Sequence, residues 1–234
     1  MSALSIDIWS DIACPWCYVG KRRLEGALES FALAEQVEVS WHAFELDPGA
    51  APEKDPGVPY AARLAKKYGS SVEHAERMIA RLASVAQSEG LEFRFDRIRP
   101  GNTFDAHRVV HLAKLRGKQD AMKERLFRAY LSEGRLISDP QVLLELAAEV
   151  GLDADEVSGL LATDLHRDAV RADEAEAREL GIDGVPFFVF DGRLAVSGAQ
   201  PAEVFSRALE QAFQQSAPSA ALAEGAVCGP DGCA

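Results

Sequence analysis

Apolar and polar residues alternate in two short segments near the start of the chain, residues 4–9 and 37–46. β-branched and aromatic residues recur there at alternate positions, which is typical of half-buried strands. Between them, residues 18–31 place apolar side chains at helical spacing, and Pro15 suits a first helical turn. The order strand, helix, strand predicts a β-α-β unit whose two strands run parallel.

The segment from residue 47 to residue 59 is rich in Pro, Gly and Asp, which interrupt regular structure and mark a boundary. Beyond it, strand patterns are almost absent as far as residue 180, and residues 92–98 suit a short extended link. Periodicity predicts helices around residues 71–89, 104–116, 118–132, 139–150, 153–162 and 164–180. Ser138 or Asp139 and, later, Asp153 are suited to cap two of these helices. We therefore expect an all-helical insertion.

Strand character returns at residues 185–190, and an Asp-Gly turn followed by residues 194–196 predicts a hairpin. A last helix is expected over residues 202–215. The predicted fold class is α/β, a sheet domain interrupted by a helical insertion. The predicted units are a discontinuous domain of residues 1–48 and 182–215, an insertion of residues 49–181, and a flexible tail of residues 216–234.

Composition narrows the range of partners. The chain has 234 residues and a formal net charge of -12. This charge argues against nucleic acid or an anionic membrane as a binding partner, since proteins that bind these surfaces need clustered Lys and Arg. No run of 18 or more apolar residues is present, so we expect no membrane span. The first residues show no basic region followed by an apolar stretch, so we expect no secretion signal and a cytoplasmic location.

The four cysteines form two close pairs at the two ends of the chain, Cys14 with Cys17 and Cys228 with Cys233. Permanent structural disulfides are rare in a reducing cytosol, where paired cysteines more often react reversibly or hold a metal. The distribution of cysteines therefore indicates chemistry rather than covalent stabilisation of the fold.

Several motifs together resemble the DsbA-like branch of the thioredoxin superfamily, most closely its cytoplasmic FrnE-type subfamily. The motifs are Asp-Ile-Ala-Cys-Pro-Trp-Cys-Tyr-Val-Gly at 11–20, Asn102-Thr103 with Ala106-His107, Gly-Val-Pro-Phe-Phe at 184–188, and Ser-Gly-Ala-Gln at 197–200. Their order covers nearly all of residues 4–210. The resemblance implies a thioredoxin-like fold interrupted by an all-helical insertion, and a thiol–disulfide oxidoreductase or isomerase.

Cys14 is expected at the start of the first helix, where unpaired backbone N–H groups and the helix dipole favour a thiolate. We predict that it is the nucleophile. Cys17, one turn later, is placed to attack a mixed disulfide at Cys14 and is the predicted resolving residue. Since Pro15 has no N–H, stabilisation of the thiolate would come from the N–H groups of Trp16 and Cys17.

The resemblance also implies a cis peptide bond between Val185 and Pro186, facing the first cysteine pair. The exposed backbone of Val185 would then bind an extended substrate, whereas the alternative is a trans proline that opens a strand. Trp16 is the predicted exposed substrate contact, and Trp9 and Trp41 are predicted core residues.

The sequence leaves alternatives for the roles of three further polar residues. Asp11 is a candidate for proton transfer with Cys17, or else the acceptor of a surface turn or cap. His42 and His107 are more typical of satisfied structural histidines than of catalytic groups.

The second pair, Cys228 and Cys233, encloses a Gly-Pro-Asp-Gly segment that can bring the two thiols together. On a flexible tether it would range over roughly 20 Å. Our hypothesis is that it exchanges disulfides with Cys14 and Cys17 as a relay or a self-resolving arm. The alternative is an unrelated pair or a weak metal ligand.

The predicted function is thiol–disulfide exchange with protein substrates through Cys14, with catalytic residues Cys14, Cys17, Pro186, Cys228 and Cys233. No cofactor and no bound metal are expected, and an external thiol such as glutathione is a candidate co-reactant. One rival is a glutathione-dependent isomerase or transferase of the kappa type, relatives that typically have Ser at the Cys14 position. A second rival is a metal-binding thiol protein. The dominant direction of exchange and the oligomeric state stay open.

Overall fold

One mixed sheet of four strands forms the centre of the molecule. The computed structural model describes residues 4–54 and 57–216. The strands are β1 (Leu4–Ser10), β2 (Val37–Ala43), β3 (Phe187–Phe190) and β4 (Leu194–Ser197), in the spatial order β2-β1-β3-β4. β1 pairs parallel with β2 and antiparallel with β3, and β3 pairs antiparallel with β4. The predicted β-α-β unit and the predicted hairpin are both confirmed.

Helices cover both faces of this sheet. Helix α1 (Pro15–Glu29) packs against the last helix, α9 (Ala202–Ser216), and α9 also contacts β1, β3 and β4. Ile6 and Ile8 of β1 are fully buried in the main core, whereas Trp9 lies in a separate apolar cluster with Ala177 and Ile182. Successive side chains of a strand point to opposite faces, so β1 is buried on both.

Seven helices lie between β2 and β3 in the described chain. They are α2 (Tyr60–Tyr68), α3 (Val72–Ser88), α4 (Phe104–Leu115), α5 (Gln119–Arg128), α6 (Pro140–Glu149), α7 (Ala154–Leu161) and α8 (Arg167–Glu179). Asp139 and Asp153 cap α6 and α7 through their side chains, as predicted. The periodicity did not predict α2, and the single helix predicted over 118–132 is α5 followed by a π-helical turn at Ala129–Glu133.

A charged network joins the sheet to the insertion. The imidazole of His42 on β2 donates from Nδ1 to Asp173 (3.0 Å) and from Nε2 to Asp7 (2.9 Å), and it stacks on Trp9. Asp173, on α8, also lies 2.9 Å from Nε2 of His111 on α4. Burial opposes the charge on His42, but the two carboxylates outweigh it and raise the pKa of His42 to about 9. His42 is therefore structural, as predicted.

Stability should depend on pH through His42. A raised pKa in the folded state means that this stabilisation is complete below the unfolded pKa of 6.5 and is lost as pH rises toward about 9. We expect the difference in free energy of unfolding between the wild type and His42→Gln to shrink by about 3 kcal/mol across this interval. Urea denaturation of the reduced proteins at a series of pH values measures it.

The control for this measurement is His74→Gln, which removes an exposed imidazole on α3. It should leave the pH profile parallel to that of the wild type. A parallel profile for His42→Gln as well would show that the network contributes no pH-dependent stability.

Candidate active site

Cys14 is the residue at which helix α1 begins. It is the N-cap, with φ -93° and ψ 110°, and Pro15 follows in the first turn, as predicted. The N–H of Cys17 donates to the carbonyl oxygen of Cys14 at 3.1 Å, and within the described chain no capping hydrogen bond reaches the Cys14 side chain. The backbone N–H of Cys17, which we expected to stabilise a Cys14 thiolate, is therefore engaged elsewhere.

The Val185-Pro186 peptide lies directly against the first cysteine. This bond is cis, as the resemblance implied, and the Cys14 thiol donates to the carbonyl oxygen of Val185 at 3.5 Å. Gly20 on α1 permits the close approach, since a Cβ there would lie 3.1 Å from side-chain atoms of both Pro186 and Phe188. The structure thus brings together residues that are 171 positions apart in the sequence.

The two thiols of the motif have different surroundings. Cys14 is 6% exposed, at the edge of a cleft, whereas Cys17 is fully buried. Burial raises the pKa of the Cys17 thiol well above its ordinary value, and its hydrogen bond with Cys14 acts in the same direction. Cys14 is thus the thiol that a substrate can reach, and Cys17 lies behind it.

Lys123 on α5 is a buried cation near this pair, and the sequence pattern gave no sign of it. It is fully buried, and its Nζ lies 3.4 Å from the Ser10 carbonyl oxygen and 5.5 Å from the Trp41 ring centroid. No carboxylate of the described chain forms an ion pair with it. Burial lowers the pKa of Lys123 to about 8, although Cys17 and Asp11 act in the opposite direction. Its positive charge in turn favours the thiolate of Cys17.

Asp11 is buried rather than part of a surface turn. It is 1% exposed and accepts hydrogen bonds from the N–H groups of Leu46 (2.8 Å) and Ala13 (3.3 Å), and from Nε2 of His107 (3.4 Å). Burial opposes its ionisation, but these hydrogen bonds prevail and lower the pKa of Asp11. Burial lowers the pKa of His107, so a neutral His107 donates to an ionised Asp11. The pair anchors the loop before Cys14 to α4.

The cleft beside Cys14 has a volume of about 1000 Å³. It extends from Cys14 and Val185 to helices α2 and α3 of the insertion. Trp16 lines it and is 40% exposed, as predicted, and its role as a substrate contact stays a prediction. Trp9 and Trp41 are 2% exposed, as predicted for the core. A substrate in this cleft would therefore meet both the sheet domain and the helical insertion.

One group of potential metal-ligating side chains in the described residues does not include the cysteine pair. His42, Asp173 and Glu176 place potential metal-ligating atoms within 4.8 Å of one another, and neither Cys14 nor Cys17 belongs to that group. Cys228 and Cys233 lie outside the described residues. In the described part of the chain, the helices are too short or too polar to cross a membrane.

The sheet combines a β-α-β unit with a hairpin, and a cysteine pair at a helix start faces a cis-proline beside it. This arrangement defines a thioredoxin-like redox protein. The chain belongs to the DSBA-like thioredoxin domain family, whose sequence profile matches residues 5–210. This match confirms both the thioredoxin-like fold with a helical insertion and the resemblance to DsbA-like proteins.

Three relatives illustrate the match. The crystal structure of the probable DsbA oxidoreductase SCO1869 from Streptomyces coelicolor is 48% identical, with a TM-score of 0.86 over 99% of this chain and 98% of that one. The uncharacterized protein YwbO of Bacillus subtilis is 32% identical over 206 residues, 87% of this chain and 94% of its own. The cytosolic disulfide reductase DsbM from Pseudomonas aeruginosa shares the fold at 22% identity, with a TM-score of 0.62 over 91% and 100% of the two chains. The family match and the likeness to SCO1869 identify the chain as a disulfide oxidoreductase.

Removing the buried charge of Lys123 should slow the step in which Cys17 attacks. In Lys123→Met, the pKa of Cys17 should rise further, and each unit lowers the thiolate fraction about tenfold near neutral pH. Stopped-flow measurement of Cys14–Cys17 disulfide formation against pH should show the profile moved to higher pH.

Lys114→Met removes an exposed charge from α4 and is the matched control. It should leave the pH profile in place. A purely structural role for Lys123 would alter the unfolding temperature but not the pH at which Cys17 becomes reactive, and that outcome would contradict this assignment.

Proposed function

We propose that this protein catalyses thiol–disulfide exchange with polypeptide substrates, with Cys14 as the nucleophile and Cys17 as the resolving thiol. The observation that supports this most directly is the contact between the Cys14 thiol and the Val185 carbonyl, beside the cis peptide and at the edge of the cleft. An extended substrate bound along Val185 would present its disulfide to Cys14.

In the reducing direction, the Cys14 thiolate attacks one sulfur of the substrate disulfide. A Cys14–substrate disulfide forms, the substrate S–S bond breaks, and the first substrate sulfur leaves as a thiolate. Cys17 then attacks the sulfur of Cys14. The Cys14–Cys17 disulfide forms, the second substrate sulfur is released, and the proton of Cys17 leaves with it. The substrate gains two electrons and the enzyme pair loses two.

Burial of Cys17 and the charge of Lys123 give the two cysteines different roles in the two steps. Burial keeps Cys17 protonated at rest, so Cys14 reacts first. Lys123 then stabilises the charge that develops on Cys17 when the mixed disulfide is resolved. Asp11, already ionised and bonded to His107, holds the loop that presents Cys14.

Substitution of each cysteine separates the two steps. Cys14→Ser should lose reduction of insulin disulfides by a factor of at least about 100, because the nucleophile is gone. Cys17→Ser should instead accumulate a covalent Cys14–substrate adduct, detectable by intact-protein mass spectrometry. Ser10→Ala, which removes a buried hydroxyl near the motif, is a control that should retain turnover.

The same variants distinguish the rival functions. A glutathione-dependent isomerase would keep its activity in Cys17→Ser, because it needs a single nucleophile. A metal-binding thiol protein would show stoichiometric metal binding and no insulin reduction in the wild type. Either outcome would overturn the proposed exchange reaction.

The tail pair Cys228 and Cys233 is part of the proposal as an internal exchange partner. A tethered dithiol can reach an effective concentration near millimolar, enough to compete with external thiols. It would reduce the Cys14–Cys17 disulfide and become oxidised itself, and an external thiol such as glutathione would then restore it. The proposed setting is the cytoplasm, and the FrnE-type assignment remains a prediction.

Loss of the tail thiols should slow regeneration of the reduced front pair. In Cys228→Ser/Cys233→Ser, the glutathione-driven reduction of the Cys14–Cys17 disulfide should slow several-fold, while the first attack on substrate keeps its rate. The control is Ser219→Ala/Ser216→Ala, which leaves all four thiols in place. Equal regeneration rates with and without the tail thiols would eliminate the relay.

A further inference from the structure

The active-site cleft is larger than attack on a lone disulfide requires. Its volume of about 1000 Å³ is at the upper end of pockets that enclose a whole small molecule. It continues away from Cys14 along α2 and α3. A segment of several residues on a polypeptide substrate can therefore lie in it while its sulfur reaches Cys14.

Cations cluster along this cleft, although the chain as a whole has a net charge of -12. The cationic side chains that line it are Lys54, Arg63, Lys66, Lys67 and Arg81. Lys54 pairs with Asp47, but in the described chain no carboxylate forms an ion pair with any of the other four. Most other arginines of the described residues are paired with carboxylates. Other cations without an ion pair in the described chain, such as Lys114, Arg178 and Arg207, do not line the cleft, so the cleft is where four such cations occur together.

The positive charge of Arg63 is held in place by hydrogen bonds. Its guanidinium donates to the carbonyl oxygens of Val58 and Lys54, and its Nε is buried with no hydrogen-bond partner in the described chain. These two backbone hydrogen bonds orient the guanidinium of Arg63, which also lines the cleft.

Large apolar side chains accompany the cations. Tyr68 is 59% exposed, and Trp16, Leu46 and Met78 are also exposed while lining the cleft. An exposed apolar patch bordered by charge is typical of a surface that binds another molecule. The cleft therefore offers both apolar contact and positive charge to whatever approaches Cys14.

We propose that the cleft selects polypeptide substrates in which acidic side chains, accompanied by apolar ones, flank the reactive disulfide. This inference rests on the proposed exchange function and names its substrate class. Lys66, Lys67 and Arg81 would attract the acidic residues, and Arg63 would pair with one of them near Cys14. Charges at the rim of a site act mainly on the rate of association, and their effect is screened by salt.

The test compares short disulfide-bonded peptides of equal length that differ only in flanking Glu or Lys residues. Reduced full-length protein should reduce the Glu peptide about tenfold faster than the Lys peptide at about 0.1 M salt. The ratio should fall below about twofold at about 1 M salt. Each rate is divided by that for uncharged hydroxyethyl disulfide with the same protein, so that differences in Cys14 reactivity cancel.

Charge reversal identifies the residues responsible. In Lys66→Glu/Lys67→Glu/Arg81→Glu, the ratio of Glu to Lys peptide rates should fall to about one or below. The matched control is Lys114→Glu/Arg178→Glu/Arg207→Glu, which changes the net charge equally at exposed positions outside the cleft. This control should keep the wild-type ratio. The wild-type salt series tests the proposal even where the triple variant does not fold.

Each other outcome overturns the proposal in an identifiable way. Equal rates for the two peptides with the wild type would show that the cleft does not select by charge. Slower reduction of glutathione disulfide by the triple variant, with an unchanged peptide ratio, would make the cleft a site for a small anionic thiol. Failure of the wild type to reduce even hydroxyethyl disulfide would remove the proposed exchange function itself.

Discussion

The pairing of β1 with β3 is the interaction on which the site depends. The register places Trp9 opposite Phe187, so the end of β1 and the beginning of β3 lie at the same edge of the sheet. Because the two strands are antiparallel, the loop that leaves β1 toward Cys14 and the peptide that enters β3 at Pro186 must meet there. The contact between Cys14 and Val185 follows from this register, whatever the length of chain between the strands.

The helical insertion lies in that long connection and contributes part of the site's interior. His107 from α4 holds Asp11, and Lys123 from α5 places a positive charge near Cys17. A lysine buried without an ion-pair partner is costly, and its charge is favoured by the carboxylates of Asp11 and Asp173 and by a thiolate at Cys17. The packing of the insertion helices thus fixes the position of Lys123, and this position affects how readily Cys17 ionises relative to Cys14.

Electrostatics act on two length scales in this molecule. Inside, burial and the neighbouring Cys14 raise the pKa of Cys17, and the charge of Lys123 opposes them where solvent screens little. Outside, four cations without an ion pair in the described chain line the cleft, and salt screens exposed charges of this kind. We propose that the first decides which cysteine reacts and that the second selects among substrates.

Local pattern was enough to predict the strands, the hairpin, most helices and the position of Cys14 at a helix start, since strand alternation, helical spacing and Pro15 act over a few residues. The order of the strands and the pairing of β1 with β3 were not predicted from it. Helix α2 was missed because it is short, follows Pro59 and has no side-chain cap. Only the tertiary structure decided that Asp11 is buried on His107, that Lys123 lies under the motif, and which cations border the cleft. Each of these depends on contacts between residues far apart in the sequence. A lysine on an amphipathic helix gives no local sign of whether its face will meet solvent or a thiol, because only the packing of the whole chain determines that environment.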